Sequence, residues 1–404
     1  MTRRVLVTDA GRSSAVAIIR SLGRRGWDVV AADTDPRSAG FASRYATERL
    51  VHPDPIQDPE GAAARILEVA AARSIDLLVP VTDELVLPLV AAREGLPAGC
   101  VLAVPDDAGL AATADKVATV ELARRLGVPT PPTAVVRTTA EALEAAPDLG
   151  WPVVVKPAVS RLRTDRGIER LAVTYANDGP ELAHRMEDLC GRVDVLLQRY
   201  VPGEGHGVEL LTAAGRPLAA FQHHRLREVP ITGGASSFRE SVPPDPDLLV
   251  ASTRLLEALS WTGLAMVEFR VGAEGPYLME VNGRIWGSLP LAVRAGMDFP
   301  ARMADLFIAG PPAEAPLDTC YRSGVRSRNL ALDVVWIAST LRRHRRYPYL
   351  EAPRRRAALG AAVGLLRPGQ GYDLLEADDP RPALAELRGL ATKVRTKVTR
   401  AAAA

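Results

Sequence analysis

Lysine is scarce in this chain of 404 residues. Only four of its 50 lysine and arginine residues are lysines, namely Lys116, Lys156, Lys393 and Lys397. The last two lie close to the C-terminus, so the body of the protein otherwise uses arginine for positive charge. A lysine ammonium is a compact point charge, whereas an arginine guanidinium is a rigid planar fork. Phosphate groups are often bound by such a point charge. Lys116 and Lys156 are therefore candidate phosphate ligands, although chance retention explains them equally well on this observation alone.

Cysteine and long apolar runs are also scarce. The three cysteines, Cys100, Cys190 and Cys320, are far apart in the sequence, which argues against a disulfide framework or a zinc site and favours a reducing cytosol. No apolar run reaches the ~18 residues that a membrane-spanning helix requires. The first four residues lead directly into a predicted strand, so we expect no signal peptide and a cytoplasmic location.

Charge and composition are those of an ordinary globular protein. The net charge is +2 at pH 7, and 47% of the residues are hydrophobic. These values give no global electrostatic reason to expect nucleic-acid binding. Residues 341–346 and 353–356 form one basic stretch. A solvated helical face is the commoner explanation of such a stretch, and peripheral contact with an anionic membrane or an acidic partner is the alternative.

The N-terminal part of the chain alternates predicted strands, at 5–8, 29–33 and 77–81, with predicted helices. This alternation indicates a parallel sheet. The loop at 9–14 opens the first helix, and Asp33 follows about twenty residues later, as in a dinucleotide-binding site. Only Gly11 is present where that fingerprint needs three glycines. A nicotinamide-dependent oxidoreductase is therefore a disfavoured alternative.

Two apolar runs, at 263–271 and 276–282, flank a short loop and predict a β-hairpin. A loop at 273–275 places Glu268 directly opposite Glu280, and Asn282 lies on the same face two residues further on. Opposed carboxylates destabilise a sheet unless a counter-charge is near. Carboxylate and amide oxygens are ligands for hard cations such as Mg²⁺. We therefore predict a divalent-cation site here, with a solvated acidic face as the alternative.

Together these features resemble the ATP-grasp carboxylate–amine ligases, especially their carbamoyl-phosphate-synthase-like branch. The resemblance extends from about residue 5 to residue 309, and its motifs occur in the family's order. It implies a mixed α/β and α+β fold with a Rossmann-like pre-ATP-grasp domain at 1–112 and two ATP-grasp lobes, at 113–197 and 198–312. The resemblance does not cover the remaining residues, and we expect a basic helical C-terminal extension at 313–404.

The resemblance also implies roles for individual residues around ATP and Mg²⁺ (or Mn²⁺). Glu268, Glu280 and Asn282 match the family's metal ligands, and Arg284 matches the arginine that faces the reacting phosphoryl group. Two lysines match those that bind the nucleotide phosphates, and the segment that begins at residue 198 matches the hinge whose backbone contacts adenine. The residues of the implied nucleotide site are Lys116, Lys156, Ser160, Gln198, Arg199, Tyr200, Val201 and Glu204.

The chain departs from the family in the loop at 157–167. Relatives carry a Gly/Ser-rich phosphate loop there, whereas this loop has one glycine, one serine (Ser160) and three arginines. A basic loop could close over phosphates or bind an anionic second substrate, and a solvated basic turn is the alternative. Downstream, Arg225, Arg227 and Arg239 are candidate contacts for a substrate carboxylate, since arginine binds carboxylates bidentately.

The implied function is that of an ATP-dependent ligase. Such an enzyme phosphorylates a carboxylate to an acyl phosphate, which an amine or similar nucleophile then attacks, with release of ADP and phosphate. The expected partners are a small-molecule carboxylate and an amine, without nucleic acid, and a homodimer is left open. A nucleotide-binding sensor or scaffold without turnover is the alternative, although adenine binding alone needs no cluster of metal ligands.

Overall fold

The computed structural model describes residues 2–314, 316–342, 353–365, 367 and 370–390. The basic residues at 343–346 therefore lie outside the described residues. The N-terminal domain contains strands β1 (Arg4–Val7), β2 (Asp28–Asp33), β3 (Glu48–Val51), β4 (Leu77–Val79) and β5 (Val101–Leu102), and helices α1 (Ser13–Arg24), α2 (Pro59–Ala72) and α3 (Asp83–Ala91). The strands form a parallel sheet in the order β3-β2-β1-β4-β5. The predicted Rossmann-like sheet is thus confirmed.

The next lobe is built on a small antiparallel sheet. Its helices are α4 (Asp107–Ala114), α5 (Lys116–Arg125), α6 (Thr139–Leu149) and α7 (Gly179–Met186), and its strands are β6 (Thr133–Val136), β7 (Val153–Pro157), β8 (Arg161–Thr164), β9 (Gly167–Arg170), β10 (Thr174–Ala176) and β11 (Val195–Arg199). Four strands pair in the order β10-β7-β11-β6, while β8 and β9 form a separate hairpin. The predicted phosphate loop at 157–167 therefore continues into a regular hairpin.

The last lobe is built on a seven-stranded sheet. Its strands are β12 (Glu204–Ala213), β13 (Arg216–Val229), β14 (Ala235–Val242), β15 (Gly263–Gly272), β16 (Gly275–Asn282), β17 (Arg326–Arg328) and β18 (Gly371–Tyr372). Its helices are α8 (Pro246–Ala258), α9 (Leu289–Ala295), α10 (Phe299–Ala309), α11 (Leu330–Leu341) and α12 (Arg355–Gly364). The strand order is β16-β15-β12-β13-β14-β17-β18. The region expected to be a helical extension therefore adds two strands to this sheet.

One hydrophobic core joins the N-terminal domain to the seven-stranded sheet. Ile18 and Leu22 of α1 belong to the same buried cluster as Phe221 of β13, Trp286 and Phe299. Trp286 and Phe299 pack edge to face with their ring centroids 5.8 Å apart. Because apolar residues of both bodies share this cluster, the N-terminal domain is held in a fixed position beside the sheet.

Buried ion pairs attach the C-terminal part of the chain to both bodies. Arg20 of α1 pairs with Asp379 at 2.9 Å, and both side chains are about 1% exposed. Asp379 also accepts hydrogen bonds from the Ser43 hydroxyl and from the Arg44 backbone N–H. Residues 373–379 therefore dock onto the N-terminal domain, although they follow the last strand of the sheet in the other body. Among the described residues, no helix is both long enough and apolar enough to cross a bilayer.

Replacing one partner of this ion pair is expected to destabilise the fold. Asp379→Ala would remove the buried counter-charge of Arg20, which the partly exposed Glu376 at 3.5 Å replaces only in part, and should lower the free energy of unfolding by about 3 kcal/mol. The matched control is Glu68→Ala, which removes the exposed pair between Arg65 and Glu68 and should cost about 0.5 kcal/mol or less. Urea unfolding measures both values. Equal stability of the two variants would contradict the docking of the C-terminal residues.

Candidate active site

The hairpin of β15 and β16 brings three predicted metal ligands together. Glu268 pairs directly with Glu280 in the register of the two strands, as predicted. The Asn282 amide nitrogen lies 3.0 Å from Glu268 Oε1 and 3.2 Å from Glu280 Oε1. Two carboxylates and an amide therefore meet on one face of the sheet.

A bulge in this hairpin produces the register. Gly272 pairs with Gly275 across a two-residue turn, and the pairing shifts by one residue between Glu268 and Phe269, which leaves Met279 unpaired. The freed carbonyl oxygen of Met279 accepts a hydrogen bond from Lys156 Nζ at 2.8 Å. A β-bulge re-aims side chains and interrupts the ladder of hydrogen bonds. In this hairpin it both aligns the two carboxylates and provides an anchor for a lysine.

Positive side chains surround the two carboxylates. Arg225 Nη2 lies 2.5 Å from Glu268 Oε1. The Lys116 ammonium donates to the Ser160 hydroxyl at 2.7 Å, and both Lys116 and Lys156 are buried. Lys116 lies at the start of α5 because the Asp115 side chain caps that helix. The two lysines, remote in sequence, both act on Glu280, since their charges lower the pKa of that carboxyl.

The two carboxylates have divergent pKa values. Burial raises the pKa of Glu268, and the charge of Glu280 adds to this effect against the opposition of Arg225. Burial also acts on Glu280, but Lys156, Lys116 and Arg284 together lower its pKa below the usual value. The nearby positive charge therefore stabilises the ionised form of Glu280 more than that of Glu268. Two carboxylates and an amide suit a hard divalent cation, whose charge would further stabilise both ionised acids.

Two cavities meet at the cluster. The larger, of about 1220 Å³, and the smaller, of about 320 Å³, share Lys156, Gln198, Glu280, Asn282 and Arg284 among their lining residues. Drug-sized ligands occupy pockets of about 300–1000 Å³. The larger cavity therefore has room for more than one ligand, with the charged cluster at the junction.

The predicted hinge lines the larger cavity. Gln198, Arg199, Tyr200 and Val201 all contribute to its wall. The Gln198 amide nitrogen donates to the Thr133 hydroxyl at 2.9 Å. This hydrogen bond joins the C-terminal end of β11 to β6. The structure thus brings the hinge, both lysines, Ser160, the three acid and amide residues and Arg284 to the two cavities.

Two predicted substrate contacts lie elsewhere. Arg227 pairs with Asp333 at 3.2 Å and Arg239 with Asp373 at 2.6 Å, and neither arginine lines either cavity. Both aspartates come from the C-terminal part of the chain, whose partners could not be deduced from the sequence. Arg225 does line the larger cavity, although Glu268 already holds its guanidinium.

Glu204 is also separated from the cluster. Its side chain is 71% exposed and lies 3.1 Å from His224 Nε2. Residue 204 and residue 268 occupy opposite faces of the sheet, because Gly207 is the partner of Glu268 and is three positions from Glu204. A second acid of β12, Glu209, is fully buried beside His223. Neither acid lines a cavity.

The N-terminal domain supplies acids that sequence reasoning did not assign to the site. Asp83 accepts from Arg284 Nε at 3.1 Å, and the buried Glu84 pairs with Arg161 at 2.9 Å and Arg170 at 2.7 Å. Both acids begin α3, directly after β4, where a helix cap is the ordinary explanation of such residues. Their position at the carboxyl end of a parallel strand was the available signal, since ligand sites form at that edge.

The N-terminal domain contacts the β8–β9 hairpin at further points. The Ile168 N–H donates to the Ile56 carbonyl at 2.8 Å, and Gly167 has a φ of 108° with room only for a hydrogen, since a Cβ would lie 2.0 Å from that carbonyl oxygen. Arg163 pairs with Glu60. Arg161 is thus paired with the N-terminal domain and also lines the smaller cavity beside Glu280, whereas Arg163 pairs with Glu60 at the surface, where both side chains are largely exposed.

Comparisons with known proteins show which proteins this chain resembles in sequence. A family model described as "ATP-grasp in the biosynthetic pathway with Ter operon" matches residues 192–329. The carbamoyl phosphate synthase large chain of Xylella fastidiosa (strain 9a5c) is 29% identical over 199 residues, which cover 43% of this chain and 17% of that protein. Carnosine synthase 1 of Mus musculus is 25% identical over 311 residues, or 70% of this chain and 37% of that protein. The chain therefore spans well under half the length of either relative.

A solved structure supports the fold. The biotin carboxylase domain of the Hydrogenobacter thermophilus 2-oxoglutarate carboxylase, in complex with MgADP, ADP and bicarbonate, superposes with a TM-score of 0.63 at 18% identity. The match covers 81% of this chain and 73% of that one. The chain therefore has the ATP-grasp fold, and its residues 192–329 match an ATP-grasp family model.

Proposed function

We propose that this protein is an ATP-dependent, ADP-forming ligase that joins a carboxylate to an amine or similar nucleophile through an acyl phosphate. The observation that carries this proposal is the meeting of Glu268, Glu280 and Asn282 with Lys156 and Arg284 where two cavities join. Such a cluster suits phosphoryl transfer, in which catalysis consists mainly of positioning and charge neutralisation. The ligases and MgADP-bound carboxylase among its relatives support the same chemistry.

The nucleotide would lie between the two lobes. Lys116 and Lys156 would bind its phosphates, and the backbone of Gln198–Val201 would contact adenine. Glu268, Glu280 and Asn282 would hold Mg²⁺ or Mn²⁺, which when bound neutralises the β- and γ-phosphate oxygens. Burial lowers the pKa of both lysines. The negative phosphates would favour the charged ammonium forms, so nucleotide binding and lysine protonation support one another.

The reaction proceeds in two steps. A carboxylate oxygen attacks the γ-phosphorus of ATP, the bond from that phosphorus to the bridging oxygen breaks, and ADP leaves. An amine then attacks the acyl carbon, phosphate departs with the bonding electrons, and the amine loses a proton. Arg284, oriented by Asp83, would stabilise the charge on the transferring phosphoryl oxygens. The closed β8–β9 hairpin would exclude water from the acyl phosphate.

Two alternatives have less support. A nucleotide-binding module without turnover has no need for opposed carboxylates at the junction of two cavities. A nicotinamide-dependent oxidoreductase would need further glycines beside Gly11.

A small-molecule carboxylate and an amine remain the predicted substrates, with the cytoplasm as the predicted compartment. Homodimer formation and peripheral membrane contact stay predictions.

The product nucleotide tests the proposed reaction class. Incubation with ATP, Mg²⁺ and a pool of carboxylates and amines is expected to give ADP and phosphate, measured by liquid chromatography and mass spectrometry. Hydroxylamine in place of the amine should trap the activated carboxylate as a hydroxamate. AMP and pyrophosphate as the stoichiometric products would contradict attack at the γ-phosphorus.

Removing one ligand charge should abolish turnover while the fold is kept. Glu280→Gln is expected to slow ADP formation by at least about a hundredfold, because metal-assisted charge stabilisation contributes several kcal/mol. The matched control, Glu144→Gln, changes an exposed acid on α6 and should be fully active. Circular dichroism checks the fold of both proteins. Full activity of Glu280→Gln would refute the metal site.

Removing the Lys156 charge should weaken nucleotide binding. Lys156→Met keeps the length of the side chain and loses a charge-assisted contact worth about 1.5–3 kcal/mol, or roughly 10- to 150-fold in the dissociation constant of MgATP. Isothermal titration calorimetry measures the constant. An unchanged value would instead support chance retention of this lysine.

A further inference from the structure

The larger cavity extends well beyond the acidic cluster. One part of its wall, which we call the α1 end, is formed by residues 11–14 at the start of α1, by most of residues 33–42 and by most of residues 385–390. None of these residues belongs to the nucleotide site proposed above. Since the whole cavity exceeds the volume of one ordinary ligand, a second molecule has room here.

The start of α1 presents unsatisfied hydrogen-bond donors. The first intrahelical bond runs from the Val16 N–H to the Arg12 carbonyl, so the N–H groups of Ser13, Ser14 and Ala15 have no partner within the helix. No side chain caps this end, and its first turn contains no acidic residue. Helix amides in this state attract anions.

Two serine side chains provide an independent indication of a ligand. Ser13 is 8% exposed and Ser14 is 4% exposed, and both line the larger cavity. Neither hydroxyl is hydrogen-bonded to any residue that the structure describes. Neither hydroxyl oxygen is among the fully enclosed side-chain atoms that lack a partner, so both oxygens reach the space of the cavity, where a bound molecule could accept from them or donate to them.

The charges around this end are mixed. Its acids are Asp33, Asp35 and Glu386, and its cations are Arg12, Arg37, Arg49 and Arg388.

The carboxylate of Asp33, which is hydrogen-bonded to the loop before α1, already accepts several hydrogen bonds. One oxygen of Asp33 accepts from the Gly11 N–H at 2.6 Å and the Ser38 hydroxyl at 2.9 Å, and the other accepts from the Asp35 N–H at 3.0 Å. Arg12 and Arg49, in contrast, form no ion pair within the described part of the chain. Positive charge is therefore available to a ligand beside the helix amides.

We propose that the start of α1 binds an anionic group, a carboxylate or a phosphate monoester, on the second substrate of the ligase. The donors would be the Ser13 and Ser14 hydroxyls and the N–H groups of the first turn, with Arg12 beside them. Bound at this end, the substrate would extend along the cavity and direct its nucleophile toward Glu268 and Glu280. The inference rests on the proposed ligase function, and its test is independent of turnover.

Binding of inorganic phosphate to the full-length protein is the test. Calorimetry at constant ionic strength, after saturation with Mg²⁺ and a non-hydrolysable ATP analogue, confines phosphate to the second site. Wild-type protein is expected to bind phosphate. Ser14→Asp should weaken binding by at least about tenfold, because the new carboxylate occupies the helix amides and repels the anion. An acid in the first turn also favours the helix, so a purely structural role would change stability and leave phosphate binding as it was.

A matched pair of milder variants separates the hydroxyl from the fold. Ser14→Ala and Ser252→Ala each remove a buried helical serine hydroxyl, but Ser252 donates to the Leu248 carbonyl and lines neither cavity. Only Ser14→Ala should weaken phosphate binding. Acetate, titrated in the same way, decides between the two anions: tighter binding of acetate assigns a carboxylate, and tighter binding of phosphate assigns a phosphate monoester.

Failure of this inference can be told apart from failure of the proposed function. If the ATP analogue binds, but phosphate and acetate either do not bind or bind wild type and Ser14→Asp equally, the anion site is contradicted and the ligase proposal stands. If the ATP analogue does not bind, the ligase proposal fails. The same titrations on nucleotide-free protein then decide the anion site.

Discussion

Two carboxylates held directly opposite each other are the constraint on which the site depends. Like charges at opposed positions of a sheet repel and would favour another register. The chain tolerates Glu268 and Glu280 there because Arg225 and the buried Lys156 neutralise part of their charge. Burial and the charge of Glu280 nevertheless raise the pKa of Glu268 above its usual value. A divalent cation held by the two carboxylates and Asn282 would stabilise their ionised forms.

Acidic residues of the N-terminal domain and of the C-terminal part determine the positions of the arginines around the site. Asp83 orients Arg284, and Glu84 pairs with Arg161 and Arg170 of the β8–β9 hairpin, so the N-terminal domain contributes to the site of the lobes. The C-terminal part has the opposite effect on Arg239, which Asp373 removes from the cavities. Arginine is thus abundant in the chain, yet ion pairs decide which guanidinium groups face a ligand.

Sequence reasoning succeeded where the determinants were local. The opposition of Glu268 and Glu280 follows from a short hairpin, although the bulge at Met279 compensates for a turn one residue shorter than expected. The ion pair that holds Arg239 outside the cavities could not be predicted, because its partner, Asp373, lies 134 positions away in the sequence. Glu204 lies apart from the cluster for a different reason: strand alternation places it on the opposite face of the sheet from Glu268. Element boundaries are the least certain part of a sequence-based prediction.

The most direct test of the account is the position of a bound metal. Crystals grown with Mn²⁺ and ADP, measured at an energy where manganese scatters anomalously, locate the ion without reference to the protein density. The account predicts an anomalous peak within about 2.0–2.3 Å of oxygens from Glu268, Glu280 and Asn282. ADP bound between the lobes with no peak at these residues, or with the peak elsewhere, would contradict it.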